Sequence, residues 1–205
     1  MTPPPDRRAR RRQQTLAHLA DTAWALFEAE GYEPVTMEQI AARADVAKAT
    51  LYKHFPVKEA LLRYRFHREF ATQVPALLEH LAALPTATAR LRSYLAASAA
   101  WAEDHRSYLL PYVRLRLGEV GSPKPRDEGD RSGNARVFFQ LIAEGQQGGE
   151  FRPDFPAELM AHHAEFLYLG VLLRWLLGDP APLATAFDRM VDFLCGGLLV
   201  PPDRS

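Results

Sequence analysis

The chain has 205 residues, at the upper end of the roughly 100 to 200 of a single domain, so it holds one domain or a small one fused to a larger one. With 47% hydrophobic residues it can bury a sizeable core, while its single cysteine, Cys195, excludes an internal disulfide. The formal net charge of zero taken whole argues against nucleic acid, yet residues 1–70 carry twelve Lys and Arg against nine Asp and Glu, and residues 71–205 thirteen against sixteen.

The chain opens on MTPPPDRRA, three prolines with charge, which predicts a disordered basic arm over residues 1–11 ending in Arg7, Arg8, Arg10 and Arg11, with Arg12 next to it. From Gln13 to Glu30 the apolar residues Leu16, Leu19, Ala20, Ala23, Leu26 and Phe27 follow the helical period, and Gly31 supplies a left-handed stop. Thr36 with Gln39 has the spacing of a capping box, so a second helix starts at Met37 with Met37, Ile40, Ala41 and Ala44 on one face. Asp45 and Val46 interrupt it. A third helix, roughly Ala47 to Phe55, turns Val46, Leu51 and Phe55 inward and leaves Lys48, Ala49, Thr50, Tyr52, Lys53 and His54 on its other faces. Two short helices joined in this way form a helix-turn-helix, whose second helix enters the major groove of DNA.

Between residues 43 and 69, seven Lys and Arg face three Asp and Glu, the density that phosphate contacts require. Pro56 closes the third helix, and a long helix runs from about Lys58 to Val74, where Pro75 kinks or ends it. Beyond Pro85 the pattern stays helical, first over Leu91 to Ala102 and then from Ser107 or Tyr108 to Leu117. Residues 118–133 are rich in Gly, Pro and charge and predict a loop. Helix returns from Asn134 to Gln147. The GQQGGEFRPDFP segment ends it as a cap and turn, since no P-loop Lys-Ser/Thr follows.

The last two helices, 157–177 and 181–199, are more apolar than a modest domain requires. A two-fold four-helix bundle between copies would cover Leu159, Phe166, Gly170, Phe187, Met190 and Leu194; monomer core is the alternative. Trp101, His105, Tyr108, Tyr112, Phe138, Phe139, His163, Phe166 and Trp175 are the candidates to line a site for a small, largely apolar effector. His162 and His163 point to different helix faces, so no metal or cofactor is expected. No stretch reaches the ~18 uncharged apolar residues of a membrane span, and no apolar segment follows the N-terminal charge, so the expectation is a cytoplasmic protein without membrane association.

The segments F27-x-x-x-G31-Y32, T36-M37-x-x-I40-A41, T50-L51-Y52-K53-H54-F55 and K58-E59-A60-L61, together spanning about residues 12–62, resemble the TetR family of transcriptional regulators. The resemblance implies an all-α protein: a helix-turn-helix domain over residues 12–60 and a helical ligand-binding and dimerisation domain over 61–205. By the same likeness Thr36 caps a helix end that meets a phosphate, and Lys48, Ala49, Thr50 and Tyr52 face the groove. Tyr52, Lys53 and His54 grip the backbone, Lys58 reaches a phosphate, and Arg11 and Arg12 add basic contacts. It further implies a homodimer on a partly palindromic double-stranded operator, a repressor released when an effector enters the core. Asp45, Ala47 and Val57 stand where the family often has glycine, serine, and serine or asparagine; a lost cap costs ~0.5 to 2 kcal/mol. Rival readings are a helical enzyme, for which adjacent Asp104 and His105 are the one candidate pair, and an interaction protein that does not bind DNA.

Overall fold

A computed structural model of the chain describes residues 7–119 and 133–198. Among the described residues there are nine helices and no strand element, the fold class expected: α1 (Arg7–Glu30), α2 (Met37–Arg43), α3 (Lys48–His54), α4 (Lys58–Ala82), α5 (Ala87–Asp104), α6 (Arg106–Glu119), α7 (Gly133–Gln147), α8 (Ala157–Leu176) and α9 (Leu183–Leu198). The chain divides into two compact units, residues 1–69 and 70–205.

In the first unit α1 buries Leu19, Ala20, Ala23 and Phe27, the face read from the period. It starts at Arg7 instead of Gln13, so Arg11 and Arg12 lie on a helix and not in a flexible arm. Unbranched arginines are good helix formers, and no proline stands after residue 5 to stop them. The prolines themselves lie outside the described residues. Gly31, at φ 85°, ends α1 by donating to the Phe27 carbonyl at 3.0 Å.

α4 continues through Pro75 to Ala82, so of the two outcomes expected at Pro75, a kink or an end, the helix does not end there. A proline removes one backbone hydrogen bond, and the apolar positions that follow it, with Leu81 fully buried, are enough to carry the helix on. Most of the 118–133 loop expected from composition lies outside the described residues.

In the second unit α7 packs along α8 and α5 along α9, with further contacts of α8 on α9, α5 on α7 and α6 on α8. Gly145 lets α7 approach α5, because a Cβ there would come within 2.3 Å of the Phe151 ring and 2.9 Å of Ala87. The Gly148-Gly149 turn reverses the chain, with Gly149 at φ 72°, and returns Phe151 to the core. Thr86 caps α5 by accepting from the Ala89 N–H at 3.1 Å. Glu150 then accepts from the N–H groups of Ala87 (2.6 Å) and Thr88 (2.9 Å) and from the Thr88 hydroxyl (2.6 Å).

α8 is apolar nearly all round, so its period could not tell inside from outside. Its inner face is Met160, Ala161, Ala164, Glu165, Tyr168, Leu169, Leu172 and Trp175, whereas Leu159 and Phe166 point to solvent. On α9, Leu183, Phe187, Met190 and Val191 are buried within the chain. Phe187 lies stacked on Tyr168 at 5.1 Å. Phe187 and Met190 are therefore corrected from dimer contacts to core positions, Leu194 is half-buried, and Gly170 opens on empty space. Cys195 is buried with its sulfur 3.5 Å from the Thr88 hydroxyl, and burial pushes its thiol up.

Burial pushes the Glu150 carboxyl up, but the hydrogen bonds from Thr88 and Ala87 outweigh it and hold the group below its ordinary range. Such a carboxylate stabilises fully above the unfolded glutamate pKa of about 4.3, and its contribution fades as pH falls through the lower folded value. Glu150→Ala should lower stability at pH 7 by about 1 to 2 kcal/mol in urea titration, with the difference from wild type shrinking below about pH 4.

Candidate nucleic-acid interface and helical core

α2 and α3 hold seven residues each, too short to be helical alone, so end chemistry and packing must fix them. At the start of α2 the Thr36 hydroxyl accepts from the Gln39 N–H at 3.2 Å, and the Gln39 side chain accepts from the Thr36 N–H at 2.7 Å. The capping box is complete. At its end the Val46 N–H donates to Ala41 and the Asp45 N–H to Ala42, a Schellman stop with Asp45 at φ 53°. Aspartate tolerates that left-handed conformation better than most side chains, so the turn forms without the family's glycine. His18 of α1 reaches the Ala44 carbonyl at 3.1 Å and ties the first helix to the same point.

α3 starts from Ala47 with no side-chain cap, as a methyl group dictates. Its hold is hydrophobic: Leu51 is 0% exposed, and Phe55 sits edge-on to Tyr64 at 5.7 Å. Rooting Leu51 turns Lys48, Ala49, Tyr52 and Lys53 outward, with Thr50 and His54 half-buried. Glu38 stands beside this face. Its carboxylate lies 3.5 Å from the Lys48 ammonium and 3.5 Å from the Tyr52 hydroxyl. Its own backbone N–H at the α2 N-terminus, and then Lys48, hold it below the ordinary carboxylate range.

The positive charge counted from the sequence is only partly available. Arg68 pairs with Asp21, and Arg65 lies over the Trp24 ring and 3.3 Å from Glu69. Lys58 is engaged too: its ammonium donates to the carbonyls of Tyr32 (2.7 Å), Glu33 (3.2 Å) and Val35 (2.8 Å), which uses all three donors. In this arrangement it has none left for a phosphate. Arg11, Arg12, Thr36, Arg43, Lys48 and Lys53 remain exposed.

In the second unit the candidate effector residues separate. Phe139, His163 and Phe166 face solvent, which corrects them as lining of an internal site. Phe138 is core, 5.5 Å from Tyr94 and 6.1 Å from Tyr168. Tyr112 is buried and Tyr108 half-buried. Trp101 stacks on His105 at 4.3 Å, and the His105 Nδ1 lies 2.8 Å from the Trp101 carbonyl, so the adjacent Asp104 does not orient that ring nitrogen. Trp175 is buried under the Arg106 guanidinium at 4.3 Å. It also lines an open depression of about 250 Å³ with Leu167, Val171, Arg189, Met190 and Phe193.

Sequence reasoning places Tyr94 and Ser98 on one face of α5 but missed the polar pairs they and other side chains form inside this core. Arg116, 1% exposed, donates to Glu165 at 2.8 Å; Tyr94 donates to Asn134 at 2.6 Å; and the Ser98 and Tyr168 hydroxyls are 2.7 Å apart. A signal was present, because Leu109, Tyr112, Val113 and Arg116 follow one helical face, as do Ala161, Ala164, Glu165 and Tyr168.

The profile of bacterial regulatory proteins of the tetR family matches residues 19–64, which contain α2, α3 and their supports. MftR of Mycobacterium tuberculosis, a transcriptional regulator assigned to mycofactocin biosynthesis, is 33% identical over 96% of this chain and 97% of its own. The HTH-type transcriptional repressor KstR of Mycolicibacterium smegmatis is 30% identical over 87% of this chain and 85% of its own. This chain belongs to the TetR family. It is a DNA-binding transcriptional regulator. Among solved structures, the TetR-family repressor FadR of Thermus thermophilus, in complex with lauroyl-CoA, superposes with a TM-score of 0.77 over 93% of this chain and 98% of its own, at 23% identity. None of the described helices is long and apolar enough to cross a membrane.

For a DNA-binding regulator the placement of Glu38 has a consequence, since a carboxylate against Lys48 and Tyr52 offsets their attraction for a polyanion. Glu38→Gln should tighten binding to operator and random duplex alike by roughly two- to tenfold at low salt, measured by fluorescence anisotropy. Lys53→Ala should weaken both duplexes alike and reduce the salt slope by about one, whereas Thr50→Ala should relax preference at a single base pair.

Proposed function

We propose that this regulator is a homodimeric repressor that holds a partly palindromic operator and lets it go when a small, largely apolar molecule enters the second unit. The observation that carries the DNA half is the α3 face itself. Leu51 anchors one side, and Lys48, Ala49, Tyr52 and Lys53, with the half-buried Thr50, are offered on the other, next to an α2 whose two ends are closed by hydrogen bonds. Lys48, Lys53, Arg11 and Arg12 supply phosphate contacts, and Ala49 lets the backbone approach base edges.

Pairing is supported by what the outer face of α8 and α9 leaves uncovered: Leu159 at 44%, Phe166 at 45%, Leu177 at 64% and Phe193 at 72% exposed. Large apolar side chains left at this exposure on adjacent helices suit an interface between copies. The aromatic core, with the Arg116–Glu165, Tyr94–Asn134 and Ser98–Tyr168 pairs inside it, suits an effector with an apolar body and a polar head. The lauroyl-CoA complex of FadR is an instance of such a ligand in a related fold. Release follows when the effector binds the DNA-incompetent arrangement better than the competent one, a differential affinity acting through the shared helix α4.

In vitro selection from random duplex should recover a two-fold-symmetric sequence with half-sites one helical turn apart, ~34 Å. Failure to enrich any sequence in low salt would overturn the DNA reading. Phe166→Asp combined with Phe193→Asp should yield monomers in light scattering and weaken the selected duplex at least about tenfold, while lauroyl-CoA serves as the first effector probe in operator titration.

A further inference from the structure

The loop between α1 and α2 has no regular structure, yet the carbonyls of Tyr32, Glu33 and Val35 converge on one point, the Lys58 ammonium at the first residue of α4. The same ammonium sits 4.1 Å from the centre of the Tyr32 ring, a distance at which a cation is held by the ring face. Tyr32 in turn donates its hydroxyl to Glu59 at 3.0 Å and packs edge-on to Phe27 at 5.0 Å. Burial, and then Glu59, push its phenol far above the ordinary tyrosine range, so it stays a donor. The residue after Val35 is Thr36, whose hydroxyl sets the first turn of α2. The path from the start of α4 to the start of α2 is thus a chain of direct bonds.

We propose that Lys58 is a positioning residue for sequence reading: it fixes the α1–α2 loop, and through Thr36 the angle at which α2 and α3 leave α4, and it touches no phosphate. Three carbonyls around one ammonium saturate its donors, and a phosphate could recruit it only by leaving those oxygens without their partner. The geometry is specific to a compact, tetrahedral donor, because a planar guanidinium cannot meet three converging oxygens in the same volume. The inference takes DNA binding as given and concerns only how the reading head is held.

The test compares wild type with Lys58→Met, which keeps the stem, and Lys58→Arg, which keeps the charge. Each is titrated with the duplex selected by wild type and with random duplex between about 50 and 200 mM salt, well below its own unfolding midpoint. Positioning predicts that both variants lose at least about tenfold on the selected duplex, the scale of one base contact, with random-duplex affinity and salt slope unchanged. Equal weakening of both duplexes with a slope lower by about one would assign Lys58 to a phosphate, and wild-type operator affinity in the folded variants would reduce it to a stabilising tie. Either result overturns the proposal. A measurement on the unmutated protein covers variants that do not fold: acetic anhydride labelling read by mass spectrometry should find Lys58 slow with and without operator, and Lys53 fast until operator is added. Lys58 labelled as fast as Lys53 in the free protein, and protected by operator, also overturns it.

Discussion

Helices of seven residues do not persist in water by themselves, and the helix-turn-helix of this protein depends on two of them being held still. Each is held differently. α2 has both ends closed by hydrogen bonds, with Thr36 and Gln39 at one end and the Asp45 turn at the other. α3 has no cap at its start and relies on the burial of Leu51 and Phe55. The recognition helix is therefore the more dependent of the two, and its orientation follows from the core beneath it and from the better-secured helix beside it.

Electrostatics in the first unit follow from the same economy of space. Arg65, Arg68 and Lys58 serve packing and hydrogen bonding inside the unit, leaving a smaller exposed set on α1, α2 and α3 to meet a polyanion. Glu38 then tempers that set from within. A reading face with a carboxylate in it gives up some indiscriminate attraction, which favours discrimination between sequences over raw affinity.

The helical period, the Thr36–Gln39 spacing and Gly31 made α1, α2 and their junction legible, because each is a local rule between residues at most four apart. Side chains whose partners lie further off were not legible. The hold on Lys58 is such a case: its three carbonyls are 23 to 26 residues away in the chain, and only the folded loop brings them together. α8 misled for another reason: a helix apolar on every side gives periodicity nothing to choose between, and the inner face had to come from packing. The buried Arg116 and Glu165 could have been found, since both interrupt an otherwise apolar stripe, but their pairing spans 49 residues.

The burial of Cys195 has a practical consequence. The chain's single sulfhydryl is enclosed by α5 and α9, 6% exposed and raised in pKa by its burial, so thiol reagents at neutral pH meet little thiolate there. Low reactivity toward maleimide is the expected outcome for the unaltered protein. A spin label or fluorophore attached through a cysteine introduced on the outer side of α3 would report from that site with little background, making inter-probe distances measurable without first stripping the native sequence.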